Sequence, residues 1–296
     1  MDQPSPGDPD GPSTRLYSAP MGPHAFALVL ALSLIAFPAV PWTNPAGTQT
    51  RLSDAEMESF LRTARVGRAR GTGKGVTDSD RATLSDGTLS HDAHIQTIDE
   101  SKSKFVGERT IEFNFRDSWQ FNIAVYRIDR LLGLQLVPVS VERNWRGEPA
   151  AFTWWVDDVL MDEGERLKQK LSPPDSRCWN EQTHLIRMLD QLIDNVDRNL
   201  GNMLITKGWR VWAIDHTRAF RLSKTPRPAM LTGIDRAVLQ RLEALDFATL
   251  KRIVDGYITD GDIRALLSRR DGIVAHFTAH ASLVYDRRDP ASGCAH

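Results

Sequence analysis

Cysteine is scarce in this chain. The 296 residues include only two cysteines, Cys178 and Cys294, which lie far apart in the sequence. Neither cysteine belongs to a spacing that is typical of zinc ligands, and two cysteines are too few to build a disulfide framework. The sequence therefore predicts neither a zinc site nor a fold stabilised by disulfides.

The chain also lacks an excess of charge of either sign. Its 37 Lys and Arg residues nearly balance its 38 Asp and Glu residues, which gives a formal net charge of −1. Nucleic-acid-binding proteins usually carry a clear positive excess, so no nucleic-acid partner is predicted. The content of 41% hydrophobic and 25% charged residues is typical of a soluble globular protein. The length suits one large two-lobed domain or two ordinary domains.

A hydrophobic run long enough for a typical membrane span is missing as well. The apolar segment Ala25–Val40 has 16 residues, whereas a spanning helix needs about 20. It follows residues 1–23, whose Pro-, Gly- and Ser-rich composition predicts disorder. Three interpretations stay open: the core of a cleaved signal peptide, an uncleaved membrane anchor, or a buried helix. We expect a membrane-anchored or exported protein, and the basic residues between Arg51 and Lys74 favour the cytoplasmic face for an anchored domain.

The rest of the chain has a β-rich pattern first and a helical pattern afterwards. Ser53 followed by Glu56 is a capping-box pattern, which predicts a helix over Asp54–Ala64. After several short β-like pieces broken by glycines, the apolar spacing over Ser118–Leu132 predicts an amphipathic helix that Gly133 ends. The other predicted elements are strands at Val137–Glu142 and Ala151–Val156 and, from Asp157 onward, helices interrupted by one hairpin.

Carboxylate and amide side chains gather in the segment "LIDNVDRNLGNMLITKGWRVWAIDH", residues 192–216. A buried helix face leads into it, and strands at Met203–Thr206 and Trp209–Ile214 are predicted to follow. The polar residues at this corner are Asp194, Asn195, Asp197, Asn199, Asn202 and Asp215. Asp and Asn often satisfy backbone groups at turns, so a structural role is the simplest interpretation of any single one. An Asp, an Asn and a second Asp from three short segments, however, suit a divalent cation and leave one carboxylate to orient a nucleophile.

This arrangement resembles the catalytic and metal-binding loops of the protein-kinase-like fold. "NVDRNLGN" stands where protein kinases have "HRDxxxxN", and "IDH" stands where they have "DFG". The motif is more similar to that of the atypical kinases than to that of the protein kinases. "DRNLGN" resembles the "DRHxxN" of phosphatidylinositol 3-/4-kinases, Fam20-like kinases and HipA-like kinases. "AVYRIDRLLGLQLVPVSVER", residues 124–143, is similar to a segment of bacterial and Fam20-like members. The resemblance spans about residues 60–281 and favours a bacterial-type member.

The resemblance implies an α+β, two-lobed, kinase-like fold. The expected divisions are a tail with the apolar segment and a linker (1–50), a β-rich N-lobe with the hinge strand (51–156), a helical C-lobe (157–281) and a C-terminal tail (282–296).

The same resemblance implies a site for ATP and Mg²⁺, with Mn²⁺ as an alternative. Asp197 would accept or orient the proton of the attacking hydroxyl, and Asn202 and Asp215 would ligate the metal. "GTGKGVT", residues 71–77, would cover the phosphates. "FTWWV", residues 152–156, would be the hinge strand. The implied nucleotide-binding residues are Gly71, Gly73, Lys74, Gly75, Gln96, Asn122, Trp154 and Trp155.

The pattern departs from the family at three charged positions. The strand position that is usually Lys is Gln96, and the helix position that is usually Glu is Asn122. A Gln–Asn hydrogen bond can replace an ion pair without leaving a buried charge unpaired. The residue two after Asp197, usually His or Lys, is Asn199, so another contact to phosphate has lost its charge.

Three explanations for these departures stay open. In the first, another lysine, Lys74, Lys102 or Lys104, supplies the missing cation. In the second, the bound nucleotide supports another reaction, such as nucleotidyl transfer or ligation. In the third, the domain is a non-catalytic, pseudokinase-type binding module. Since Asp197, Asn202 and Asp215 are all present, we predict a Mg-ATP-dependent phosphotransferase. Its acceptor is a hydroxyl of a protein, a lipid headgroup or a small molecule, and membrane association would run through residues 25–40.

Overall fold

The computed structural model describes residues 52–72, 79–107, 111–287 and Cys294. The N-terminal tail with its apolar segment, most of the C-terminal tail, and Gly73, Lys74 and Gly75 of the predicted glycine loop lie outside the described residues. None of the helices in the described ranges combines the length and the hydrophobicity that a membrane span requires.

The first half of the chain is mainly strands with two helices, and the second half is mainly helical. The helices are α1 (Asp54–Thr63), α2 (Gln120–Leu131), α3 (Glu163–Lys168), α4 (Ser176–Ile193), α5 (Arg236–Glu243), α6 (Phe247–Val254) and α7 (Asp260–Ala279). The strands are β1 (Arg65–Gly71), β2 (Ser79–Ser85), β3 (Ser90–Gln96), β4 (Asp99–Val106), β5 (Ile111–Ser118), β6 (Ser140–Trp145), β7 (Glu148–Trp154), β8 (Val159–Asp162), β9 (Met203–Thr206), β10 (Val211–Ala213), β11 (Ile234–Asp235) and β12 (Val284–Tyr285). Short 3₁₀ turns lie at Leu200–Asn202, Pro228–Met230 and Ala281–Leu283.

The first half is built on a five-stranded antiparallel sheet in the order β1-β2-β3-β7-β6. One face of this sheet forms a hydrophobic core with α1 and α2, because alternate residues such as Ala93 and Ile95 are buried there with Phe60 and Val125. The opposite face of β2 and β3 carries polar residues and faces the candidate site. Strands β4 and β5 form a separate two-stranded hairpin.

The predicted start of α1 is confirmed. The Ser53 hydroxyl accepts from the Glu56 backbone N–H at 3.3 Å, and the Glu56 carboxylate accepts from the Ser53 backbone N–H at 2.7 Å. This reciprocal pair satisfies two N–H groups that a helix start would otherwise leave unpaired.

The segment after α2 is an ordered turn rather than the start of a strand. The buried Asp129 carboxylate accepts from the Leu136 backbone N–H at 2.8 Å and pairs with Arg130, and burial raises the pKa of Asp129 to about 6. Gly133 ends the helix as predicted, with φ +64°, and a Cβ there would lie 2.1 Å from Arg241 Nη1.

The predicted bounds of the next two strands were wrong. Strand β6 begins at Ser140, because Pro138 has no N–H to donate and the Val137 carbonyl accepts from Arg130 instead. A two-residue turn at Arg146 and Gly147 then joins β6 to β7, and both residues have positive φ, as a tight hairpin turn requires.

The second half is mainly helical, as predicted, with α7 packed against α4, α5 and α6. The expectation of helices interrupted by only one hairpin was incomplete. Strand β8 pairs with β9 to make a three-stranded sheet with β10, and β11 pairs with β12 in parallel. These additional strands have two to four residues and depend on distant partners for their hydrogen bonds.

The prediction that the cysteines would form no stabilising disulfide was wrong. Cys178 near the start of α4 is bonded to Cys294, 116 positions away in the sequence, with the two Cα atoms 5.6 Å apart. The Cys294 backbone N–H also donates to the Gly208 carbonyl at 2.9 Å. Cys294 is thereby held against the β9–β10 hairpin, and no local spacing in the sequence predicts this contact.

Candidate functional site

The predicted corner lies where α4 ends. The apolar positions that predicted the buried helix face are all buried, which confirms that face: Leu185, Ile186, Met188, Leu189, Leu192 and Ile193. Asp194 follows in the left-handed region with φ +50°, which ends α4 and turns the chain into a loop. The predicted hairpin follows as β9 and β10, although the second strand is shorter than expected.

Arg198 holds the two loops of the corner together. Its Nη2 donates to Asp190 Oδ1 of α4 at 3.0 Å, and its Nη1 donates to the carbonyls of Asn202 at 3.0 Å and Ile214 at 2.7 Å. Both charged side chains are mostly buried, with 11% and 8% exposed. One guanidinium therefore fixes the loop before β9 and the end of β10 relative to the same helix.

The loop places Asp197 and Asn202 together. Asn202 Nδ2 donates to the Asp197 carbonyl at 3.3 Å, so the amide oxygen remains as the atom that can ligate a cation. Asn199 caps the turn that leads to Asn202, since its side chain accepts the Asn202 backbone N–H at 3.1 Å. The residue that replaces the family's His or Lys thus has a structural contact of its own.

The Asp197 side chain is exposed to the cleft, and its pKa is raised. Partial burial is the first cause and the negative charge of Asp215 is the second, while Arg218, Arg198 and Arg221 oppose the shift. The two carboxylates therefore lie close enough to repel each other.

Asp215 lies two residues after the end of β10 and has an unusual backbone conformation. Its φ is +55°, a region that Asp tolerates better than most residues but that still carries strain. Gln96 Nε2 and Thr217 Oγ1 donate to Asp215 Oδ1 at 3.2 and 3.3 Å. Both bonds reach the same oxygen, which leaves Oδ2 available to a cation.

Gln96 and Asn122 form the hydrogen-bonded pair that the sequence predicted. Asn122 Nδ2 donates to Gln96 Oε1 at 2.7 Å, and Asn122 Oδ1 accepts from the His216 backbone N–H at 2.8 Å. Both side chains are buried. Because the His216 N–H can only donate, the orientation of each amide is set, and the uncharged bridge runs from α2 through β3 to Asp215.

The ring of His216 makes no hydrogen bond to Asp215 among the described residues. It is buried, its Nε2 has no hydrogen-bond partner among the described residues, and burial lowers the pKa of His216 well below its usual value. The contact that this residue makes with the site network is through its backbone.

The two tryptophans of the predicted hinge face opposite sides of the sheet. Trp155 lies on the same side of the sheet as the polar residues of β2 and β3. Its ring centroid is 4.0 Å from the Arg81 guanidinium carbon and 6.4 Å from the His94 ring centroid. Trp154 instead stacks on His91 at 3.7 Å and contacts Phe60. The prediction that both indoles bind nucleotide is therefore corrected: Trp155 faces the cleft, and Trp154 packs towards α1.

The alternative cations proposed on the hairpin do not lie at the site. Lys102 pairs with Glu100 at 2.5 Å and lies over the Phe105 and Phe115 rings, and Lys104 is exposed opposite Phe113. Lys74 lies outside the described residues. Gly71 is in β1, where an added Cβ would meet nothing within 4 Å, so this position shows no close approach that needs glycine.

Two arginines that follow Asp215 are already paired. Arg218 Nη2 lies 2.6 Å from Glu112 Oε2, and Arg221 pairs with the other oxygen of the same carboxylate. Arg218 also lies over the Phe115 ring at 4.0 Å. The β4–β5 hairpin thus holds the segment after Asp215, and the sequence carried no signal of this pairing.

The donor chemistry fits Mg²⁺ or Mn²⁺ shared with a phosphate ligand. In the part of the chain that is described, no three His, Cys, Asp or Glu side chains are grouped closely enough to hold a metal alone. Mg²⁺ is usually bound in proteins by one or two carboxylates together with substrate phosphates and water. Asp215 Oδ2 and the Asn202 amide oxygen meet that requirement.

Comparison with known proteins identifies structural relatives only. No family model and no curated protein matches the sequence. The structure of hydra Fam20 with sugar is similar, with a TM-score of 0.58 and 14% identity over 79% of this chain and 93% of that chain. The Golgi casein kinase with Mn/ADP bound has a TM-score of 0.53 and 14% identity over 80% of each chain. The chain therefore has an atypical kinase-like fold, with an antiparallel-sheet N-terminal lobe and a mainly helical C-terminal lobe.

Proposed function

We propose that the protein is a Mg-ATP-dependent phosphotransferase that acts on a hydroxyl acceptor. The observation that carries the proposal is the convergence of Asp197, Asn202 and Asp215 on two loops that Arg198 joins to α4. A nucleotide and a divalent cation are supported by the donor set and by a structural neighbour solved with Mn/ADP.

Each side chain has a role that its position can explain. Asp197, exposed to the cleft, orients the acceptor hydroxyl and takes its proton. Asn202 and Asp215 hold the cation through their oxygens. When bound, the cation neutralises negative charge on the transferred phosphoryl group. Gln96 holds Asp215 in place through an uncharged hydrogen bond, so it contributes position rather than charge.

A thermal-shift titration with ATP, with and without Mg²⁺, tests the binding step. At an ATP concentration 100-fold above Kd, binding stabilises the fold by about 2.7 kcal/mol, which is a rise of several degrees in Tm for a domain of this size. We expect a Mg²⁺-dependent rise that Asp215→Ala removes.

Asp271→Ala is the matched control, because that carboxylate is 71% exposed on α7. It should keep the full rise. If ATP raises the Tm of neither the wild-type protein nor the control under any condition, the proposal of a nucleotide site is wrong.

A second candidate function is nucleotide or partner binding without catalysis. The uncharged Gln96–Asn122 pair favours it, because the Lys–Glu pair of active kinases is absent from these positions. Retention of a base and two metal ligands favours phosphotransfer. A binding module would keep its partner affinity in Asp197→Asn, whereas an enzyme would lose turnover.

We also propose that the domain works in an oxidising compartment. The Cys178–Cys294 bond supports this, because structural disulfides are rare where thiols are kept reduced. It favours export or an outward-facing anchor over the cytoplasmic face. Protein isolated from its natural host under an alkylating reagent should carry no modified cysteine until it is reduced, and then two. Modification of both cysteines without reduction would contradict the proposal.

A further inference from the structure

We propose that Asp117 supplies a second carboxylate to the divalent cation at Asp215, and that this cation provides the positive charge that a strand lysine provides in other kinases. The inference rests on the proposed function and extends it to a residue outside the predicted loops. Asp117 is the second-to-last residue of β5, and α2 begins three residues later.

The first observation is an unpaired buried oxygen. The Asp117 side chain belongs to a residue that is only 9% exposed, and its Oδ1 has no hydrogen-bond partner among the described residues. An isolated buried carboxylate is unfavourable unless a donor or a cation compensates it. Such an oxygen indicates a missing partner.

The second observation places Asp117 beside the predicted metal ligand. The Thr217 hydroxyl donates to Asp215 Oδ1 at 3.3 Å and lies close enough to the Asp117 carboxylate to oppose the rise of its pKa. The Ser118 backbone N–H donates to the Thr217 carbonyl at 2.9 Å, which fixes the end of β5 against the segment after Asp215. One hydroxyl therefore separates the two carboxylates.

Burial raises the pKa of Asp117, and the negative charges of Asp215 and Glu100 add to that shift. The Thr217 hydroxyl and Arg218 oppose it. The carboxylate thus lies near two anions and one cation, and burial is the main cause of its raised pKa.

The third observation is that the nearby cations are used elsewhere. Gln96 is uncharged, and Arg198 pairs with Asp190. Arg81 on the polar face of the sheet pairs with Asp92 at 2.6 Å. In the described part of the chain, no lysine or arginine donates to Asp215 or Asp117.

Two other groups face this position. Burial lowers the pKa of His94, so its ring is uncharged at neutral pH. Arg218 pairs with Glu112, and its own Nε has no partner in the described ranges. Arg218 makes no hydrogen bond to Asp117 or Asp215 among the described residues, whereas one divalent cation can bind both carboxylates.

The chemistry agrees with a cation completed by phosphate. Two carboxylates with phosphate oxygens and water are a usual Mg²⁺ environment, and Mn²⁺ accepts the same ligands. The neutral amide at Gln96 does not neutralise the Asp215 carboxylate, so the charge of that carboxylate remains for a cation.

The test is a Mn²⁺ titration of the full chain followed by electron paramagnetic resonance, alone and with the non-hydrolysable analogue AMP-PNP. Asp117→Asn keeps the size of the side chain and removes its charge. We expect Mn²⁺ binding in the presence of AMP-PNP to weaken at least 10-fold. Glu100→Gln is the matched control, since Glu100 pairs opposite Asp117 in the hairpin but is 44% exposed, and it should change binding less than 2-fold.

A measurement on the wild-type protein covers the case in which Asp117→Asn does not fold. Bound Mg²⁺, which is diamagnetic, should shift the ¹³C carboxyl resonances of both Asp117 and Asp215. An unshifted Asp117 resonance beside a shifted Asp215 resonance would overturn the inference, as would unchanged Mn²⁺ affinity in Asp117→Asn. In both cases loss of binding in Asp215→Asn would leave the proposed function intact. If Asp215→Asn also binds Mn²⁺ normally, the proposed function fails as well.

Discussion

Asp197→Asn is expected to lower the rate of phosphoryl transfer by about 10²- to 10⁴-fold, the usual contribution of a positioned general base. The free energy of unfolding should change by less than about 0.5 kcal/mol, as for other exposed positions. The reason is that the loop is held by the backbone of Asp197 and by Arg198 rather than by the Asp197 carboxylate. Steady-state turnover and urea denaturation measure the two quantities.

The pH dependence of turnover gives an independent check on this prediction. The pKa of Asp197 is raised, first by burial and then by Asp215, and the base must be unprotonated to act. Activity should therefore fall on the acid side at a pH above the usual range for Asp. A cation beside Asp215 offsets the charge of that carboxylate but not the effect of burial, so the limb should stay above the usual range and move only part of the way back as Mg²⁺ saturates the site. Asp271→Asn should keep the wild-type rate and profile, and wild-type turnover in Asp197→Asn would exclude the assigned role.

Arg198→Met is expected to reduce the free energy of unfolding by about 3–5 kcal/mol, because it leaves the buried Asp190 carboxylate without its cation. It also removes the donors to the carbonyls of Asn202 and Ile214. Turnover should fall as well, because the loops that contain Asn202 and Asp215 would no longer be held by the same guanidinium. Chemical denaturation and Mn²⁺ affinity measure these effects.

Arg187→Met is the matched control for this change. Arg187 is exposed on α4, the helix that contains Asp190, and donates to Thr232 Oγ1 at 3.3 Å. Its effect should stay below about 0.5 kcal/mol. Adding Asp190→Asn to Arg198→Met should recover part of the lost stability, because the unpaired charge is then gone. A loss of less than 1 kcal/mol in Arg198→Met would mean that other contacts hold the loops.

The sequence predicted elements whose signals are local. The capping box at Ser53, the apolar spacing of α2 and α4 and the hairpin around Lys207 all lie within a few residues of the structure they specify. Asp197, Asn202 and Asp215 lie on the loops around that hairpin, and the roles assigned to them stay predictions. What stayed hidden depends on distant partners, such as β8 on β9 and Glu112 with Arg218, 106 positions away.

Two errors have different origins. The disulfide joins residues 116 positions apart, and nothing near Cys178 or Cys294 points to the other. The placement of Trp154 was within reach of sequence reasoning, because successive residues of a strand point to opposite faces. Since Trp154 and Trp155 are adjacent at the end of β7, only one of them can face the cleft.

The amide bridge from Asn122 through Gln96 to Asp215 also limits how such a protein can evolve. Gln96→Lys alone would set an ammonium against the Asn122 Nδ2 donor, and Asn122→Glu alone would set a carboxylate against Gln96 Oε1. The carboxylate of Asn122→Glu would be buried without a cation, and the ammonium of Gln96→Lys would pair with Asp215 in competition with the metal, whereas the double change restores a matched pair. A protein with only one of the two changes should therefore be less stable or bind the metal less well. Evolution from the amide pair to the ionic pair then requires both changes together, or a stabilising change elsewhere first.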